Sequence, residues 1–166
     1  MANRPRSLDP TELGAYFSLI EVSSLLRHRV EQQLREAGDL SYVQFQLLAR
    51  LGDAPDGSLR MTDLADGVVY SRSGLTYQAQ TLEQRGLVTR APSADDERAT
   101  TVTITEQGRG VLATVFPGHI AVLDELLFEP VTHDDIEALG DVLSRIRDRM
   151  RAAPPRSAAP RRHKSG

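Results

Sequence analysis

A chain of 166 residues with 40% hydrophobic content can bury one domain's core, and the absence of cysteine excludes disulfides, thiolate zinc sites and thiol-based oxidant sensing. The net charge of −3 withholds the overall basicity that usually marks a nucleic-acid partner, so such a partner would have to be met by placed charges. No apolar run approaches the roughly 18 residues of a membrane span and no apolar signal region opens the chain, so a cytoplasmic location with no membrane partner is expected.

Residues 1–8 are expected to be disordered. Asp9-Pro10-Thr11-Glu12 then has an N-cap, a proline at the first helical position and an acid three residues after the cap, which predicts a long helix to about Glu36, stopped by Gly38. Its apolar positions include Leu13, Tyr16, Phe17, Ile20, Leu25, Leu26, Val30 and Leu34, too wide an arc for one neighbour; a second subunit could cover part of it. Ser41-Tyr42-Val43-Gln44 opens a second capped helix through Leu51.

Met61, Leu64, Ala65 and Val68 fall at i, i+3, i+4 and i+7, the spacing of a short amphipathic helix. After a break at Val69-Tyr70, a further helix starts at Ser71 or Ser73, either of which can cap it, and buries Leu75, Ala79 and Leu82. Arg85-Gly86-Leu87 is a stop signal in which Gly86 takes the left-handed conformation and Leu87 packs back on Leu82. Strands are predicted over Leu87 to Arg90 and Thr100 to Ile104, with Val102 and Ile104 alternating with Thr101 and Thr103. Ala91 to Ala99 lies between them as a long polar tip, in which an aspartate is expected to turn back and hold the Arg98 guanidinium.

Thr105 caps the next helix, which carries Val111, Leu112, Val115, Ile120, Leu123, Leu126 and Leu127 and is expected to be interrupted at Pro117-Gly118. A last helix begins at Thr132, with Asp135 completing its cap, and sets Ile136, Leu139, Leu143, Ile146 and Met150 along one seam. That seam suits a partner helix or a core within one subunit. Residues 152–166 are rich in Ala, Pro and Arg and are expected to form a disordered basic tail. Residues 145–166 hold eight basic residues against one acid, leaving a net charge of −10 for residues 1–144.

A short helix, a tight connection, a second helix and a hairpin make the order of a winged helix-turn-helix. The second helix leaves Arg72, Ser73, Thr76, Tyr77 and Gln80 on its outer face, the types that meet base edges and phosphates in a major groove. Arg98 at the hairpin tip could enter a minor groove, where narrow A·T-rich sequence concentrates negative potential. The expected fold class is therefore mainly α with a small β-hairpin wing, and the expected partner is double-stranded DNA, contacted by Arg60, Ser71, Arg72, Ser73, Thr76, Tyr77, Gln80, Asp96 and Arg98. A winged helix that binds protein rather than nucleic acid is the alternative.

The run Tyr70-Ser71-Arg72-Ser73-Gly74-Leu75-Thr76, followed by Thr81-Leu82-Glu83-Gln84-Arg85-Gly86-Leu87-Val88, then Asp96-Glu97-Arg98-Ala99 and Ile104-Thr105-Glu106-Gln107-Gly108, resembles the MarR family of bacterial transcriptional regulators. The resemblance covers roughly residues 11 to 150. It implies a single domain over 9–151, with a winged-helix lobe at about 40–107 and dimerisation helices at about 9–37 and 108–151. It also implies a homodimer, usually a repressor, with the helix near Ser71 in the major groove and Asp96 and Arg98 at the minor groove. Release by a small phenolic or lipophilic effector is implied as well, and Phe17, His28, Tyr42, Phe45 and Tyr70 are the candidate pocket residues.

Two positions depart from the family pattern. Tyr77-Gln78 stands where an arginine and an apolar residue are common, and Asp96-Glu97-Arg98 where Asp-Arg-Arg is common, so operator sequence and salt dependence are this chain's own. No metalloprotease, phosphate-loop, dinucleotide or nucleophile-elbow motif is present, so an enzyme is not expected. The four histidines are isolated in sequence; His28 and His119 could meet across packed helices as part of a metal-responsive alternative, but no metal or other cofactor is expected.

Overall fold

The computed structural model describes residues 7–66, 72–93 and 96–152. The chain divides into two compact units, Met1–Leu126 and Leu127–Gly166. The first holds five helices and a sheet among its described residues: α1 (Pro10–Gly38), α2 (Tyr42–Asp53), β1 (Ser58–Arg60), α3 (Met61–Asp66), α4 (Arg72–Gln84), β2 (Val88–Ser93), β3 (Asp96–Ile104) and α5 (Glu106–Leu123). A π-helical turn, Asp124–Phe128, follows α5, and α6 (His133–Ala152) belongs to the second unit.

The helix starts follow local chemistry. Asp9 accepts from the N–H groups of Thr11 and Glu12 at 2.7 and 2.9 Å, and the Glu12 carboxylate returns to the Asp9 N–H at 3.0 Å. Ser41 and Gln44 make the same reciprocal pair at the head of α2. The end of α1 departs from expectation. Gly38 remains helical, and Asp39 takes the left-handed conformation at φ 50°. The reason is packing: a Cβ on Gly38 would lie 2.5 Å from Cγ1 of Val115, so the glycine admits α5 and the next residue makes the turn.

The stop after α4 is as its sequence predicts. The Leu87 N–H donates to the Leu82 carbonyl and the Gly86 N–H to the Glu83 carbonyl, both at 2.9 Å, with Gly86 at φ 71°. These are the paired bonds of a Schellman motif.

The sheet has the order β1-β3-β2, antiparallel throughout. β1 is a strand the sequence did not suggest; it sets Leu59 opposite Val102. The hairpin strands also run further than expected, since the ladder continues through Pro92↔Thr100 to Ser93↔Asp96, with an irregularity between Pro92 and Ser93. Ala91 to Ala99 is therefore not a long open tip. Paired hydroxyls extend the ladder, with Ser93 and Thr101 2.7 Å apart and Ser58 and Thr103 also 2.7 Å apart.

The core gathers around α2. Leu47, Leu48 and Leu51 are buried together with Leu34 and Val30 of α1, Leu64 of α3, Leu75 and Leu82 of α4, and Val88 and Val102 of the sheet. Only Val30 and Leu34 of α1 are buried; Leu13, Tyr16, Phe17, Ile20 and Leu25 are exposed.

Thr105 caps α5 by accepting from the Gly108 N–H at 3.0 Å. The expected interruption at Pro117 does not occur: α5 is continuous through it, and Gly118 lies against the Gln33 side chain, whose Nε2 donates to the Val115 carbonyl at 3.1 Å. Glu106–Phe128 is long and apolar enough, by length and composition alone, to cross a membrane, yet Val115 is buried in the core and Val111 and Leu112 pack against it. In the second unit, Thr132 and Asp135 cap α6 reciprocally, and the Thr132 hydroxyl and N–H hold the Asp135 carboxyl below its usual range. The predicted seam of α6 is not a buried core, because Leu139, Leu143, Ile146 and Met150 are all exposed.

Candidate nucleic-acid interface

Helix α4 is divided by its own periodicity. Leu75, Ala79 and Leu82 are each 1% exposed, whereas Ser73, Thr76, Tyr77 and Gln80 are exposed at i, i+3, i+4 and i+7. Tyr77 stands out at 65% exposure, an aromatic ring held outward from a helix whose other side is locked in the core. Arg72 is the first residue of α4. Ser71 and Tyr70, both candidate site residues, lie outside the described residues, as does Val68.

Asp96 and Arg98 are both exposed and lie two apart on β3, hence on one face of the strand. Of the two aspartates that could hold the Arg98 guanidinium, Asp95 lies outside the described residues, and the Asp96 carboxylate accepts instead from the Arg98 backbone N–H at 3.0 Å. Such a bond, from an aspartate to the N–H two residues on, shapes the backbone and leaves the arginine head without a partner among the described residues. Arg60 ends β1 opposite Thr101 and is half-buried.

Three links that the sequence did not reveal hold this surface in place. Glu83, on α4, grips Arg90 of β2 with both carboxylate oxygens: Oε1 accepts from the Arg90 N–H at 3.1 Å, and Oε2 accepts from its Nε at 2.8 Å. Arg85 donates to the carbonyls of Asp39 and Gly38 at 2.6 and 3.1 Å. Gln78, half-buried where the family pattern favours an apolar side chain, accepts from Gln44 Nε2 at 3.0 Å. The departure at position 78 is thus matched by a polar partner on α2, as burial of an amide requires. A glutamate seven residues before an arginine was the available signal for the first link, but α4 ends between them, so the period of no single element joins them.

Of the candidate effector residues, Tyr70 lies outside the described residues and the other four are not brought together. Phe17 is 62% exposed, His28 is exposed, Tyr42 lies under the Arg27 guanidinium, and Phe45 is buried with its ring 4.5 Å from that of His119. His28 and His119 belong to no metal-ligating cluster, since no group of three or more His, Cys, Asp or Glu comes together among the described residues. An open groove of about 470 Å³ does lie between α2 and α5, lined by Ala49, Gly52, Asp53, Arg109, Leu112, Ala113, Phe116 and Pro117.

A short helix, an exposed polar helix locked to a core, and a three-stranded wing bearing an exposed arginine define a winged helix-turn-helix protein. A model of the MarR family matches residues 38–99. The HTH-type transcriptional regulator MhqR of Bacillus subtilis is 30% identical over 105 residues, 63% of this chain and 68% of that protein. The HTH-type transcriptional repressor YetL of the same organism is 26% identical over 144 residues, 84% of this chain and 85% of the relative. Among solved structures, Sco3205, a MarR family transcriptional regulator from Streptomyces coelicolor in complex with DNA, superposes with a TM-score of 0.86 at 29% identity, covering 94% of this chain and 96% of its own. The chain belongs to the MarR family of transcriptional regulators.

Proposed function

We propose that the protein is a homodimeric repressor that reads a pseudo-palindromic operator, with α4 in the major groove and Arg98 in the adjacent minor groove. The observation that carries this is the exposed face Ser73, Thr76, Tyr77 and Gln80, set beside a wing arginine whose guanidinium has no protein partner among the described residues. Tyr77 suits a thymine methyl or a phosphate, and Gln80 an adenine edge. Arg60, Ser71, Arg72 and Asp96 complete the proposed DNA-facing set.

Apolar surface supports the homodimer. Phe17 and Leu25 of α1 and Met150 of α6 are each more than 60% exposed, far more than isolated surface hydrophobics require. A twofold axis then demands half-sites about one helical turn apart. Similarity to the transcriptional repressor YetL supports repression. For release by a small lipophilic effector, the support is the largely apolar groove between α2 and α5; Phe17, His28, Tyr42 and Phe45 are not among its lining residues. A cytoplasmic site of action follows from this function.

Footprinting on the region upstream of the protein's own gene tests the proposal. Two protected half-sites related by a dyad are expected, and no protection at micromolar protein would overturn it.

A further inference from the structure

The DNA-facing lobe is short of the charge that its partner calls for. Residues 40–107 hold six arginines against nine carboxylates. Several of those arginines are committed inside the fold: Arg85 to the carbonyls of Gly38 and Asp39, Arg90 to Glu83, and Arg50 to the Asp63 carbonyl at 3.0 Å. A surface of this kind can select a sequence through placed contacts, but it supplies little of the counterion release on which non-specific DNA affinity depends.

The missing charge is concentrated elsewhere. Arg145, Arg147, Arg149 and Arg151 occupy the last two turns of α6, all exposed, and only Arg147 has a carboxylate partner among the described residues, Asp148 at 3.1 Å. On the helix they flank the apolar stripe of Leu139, Leu143, Ile146 and Met150, with Arg145 and Arg149 on one side and Arg147 and Arg151 on the other. An apolar stripe can be covered while both arginine rows stay in solvent. The chain then continues with Arg156, Arg161, Arg162 and Lys164 and no acid at all. Stabilising an isolated helix end accounts for the cations of the last turn; it does not account for the four that follow.

We infer that the basic segment from Arg145 to Lys164 is a second, sequence-independent DNA-binding element, which contacts backbone phosphates flanking the operator while α4 and Arg98 supply selectivity. The inference rests on the DNA-binding function proposed above. Division of labour follows: the segment sets affinity for any duplex and its salt dependence, and the winged lobe sets the ratio between operator and unrelated sequence.

The test compares the full chain with its Arg156→Gln, Arg161→Gln, Arg162→Gln, Lys164→Gln variant. Binding to an operator duplex and to an unrelated duplex of equal length is measured from 50 to 300 mM KCl. Each phosphate neutralised contributes about 0.9 to the slope of log K against log salt, so four side chains in each of two protomers account for up to about 7 of the wild-type slope. The expected result is a variant slope shallower by at least about 3, with more than tenfold weaker binding to the unrelated duplex at 50 mM KCl and an unchanged operator preference.

Equal slopes for two proteins that both bind the operator would overturn the inference. So would equal slopes combined with a loss of binding to phosphatidylglycerol vesicles in the variant, which would assign the segment to a membrane surface. Failure of the wild-type chain to bind its own upstream region would instead remove the DNA-binding function, and the inference with it.

Discussion

Arg85 and Asp39 join the end of α4 to the end of α1: the Arg85 guanidinium donates to the Asp39 carbonyl at 2.6 Å and lies 3.7 Å from its carboxylate. The same guanidinium takes the Gly38 carbonyl at 3.1 Å, so one side chain satisfies two backbone acceptors at a helix terminus. Replacement of Arg85 by Ala is expected to cost about 1–3 kcal/mol of stability, because charge-assisted bonds to two helix-end carbonyls, that of Gly38 half-buried, are lost. The carboxylate contributes little, being 92% exposed. Asp39→Asn, which keeps a residue tolerant of the left-handed turn, is therefore expected to stay within about 0.5 kcal/mol of wild type. Urea denaturation of both variants checks the pair.

Glu83 and Arg90 make the corresponding link between α4 and the wing. Glu83→Gln keeps the shape of the side chain but removes the charge that holds Arg90, and a loss of about 1 kcal/mol is expected. The DNA consequence should be larger at the wing than at the helix. Protection of the minor groove proposed for Arg98 should weaken before that of the major groove proposed for α4, which dimethyl sulfate and hydroxyl-radical probing of one complex would separate.

What could be read from the sequence was whatever repeats within one element. Leu75, Ala79 and Leu82 announce α4 through spacing, and Gly86 announces its end through the one conformation that glycine favours there. β1 was missed because Ser58-Leu59-Arg60 is too short to show a period and exists only by pairing with Thr101 to Thr103, some forty residues away. The outer wing was missed because Pro92 and the acids beside it resemble a loop, whereas the Ser93–Thr101 hydroxyl pair continues the ladder. Gly38 resembled a helix stop until Val115 supplied a reason for a missing side chain. A pocket where the first helix, the second helix and the DNA-binding lobe converge needs Phe17 and Phe45 to face one space, and the fold sends Phe17 outward and Phe45 inward.

His119 gives the fold a pH dependence with a definite sign. Burial beside Phe45 lowers its pKa below the ordinary 6.5, and Nδ1 has no hydrogen-bond partner among the described residues. The unfolded chain therefore binds a proton more readily than the native one, and stability falls as pH drops below about 6.5 toward the lowered native value. Urea midpoints at pH 7.0 and 5.5 should differ in that direction. His119→Gln should reduce the difference, and an unaltered difference would assign it to other groups.

The exposed stripe of α6 predicts the effect of charge at its centre. Leu139→Glu combined with Leu143→Glu should leave the helical circular dichroism of the chain unchanged while converting a dimer to a monomer in sedimentation. Operator binding should then lose its dyad-symmetric footprint, since a half-site alone remains. A dimer that survives both substitutions would place the interface elsewhere.

The most direct test is hydroxyl-radical footprinting of the wild-type protein and Arg98→Ala on the region upstream of its gene. Two minor-groove protections flanking a dyad are expected, lost in Arg98→Ala with a binding penalty of about 1–3 kcal/mol and an unchanged melting temperature. An Arg98→Ala protein that binds with wild-type affinity and an identical footprint would contradict that expectation.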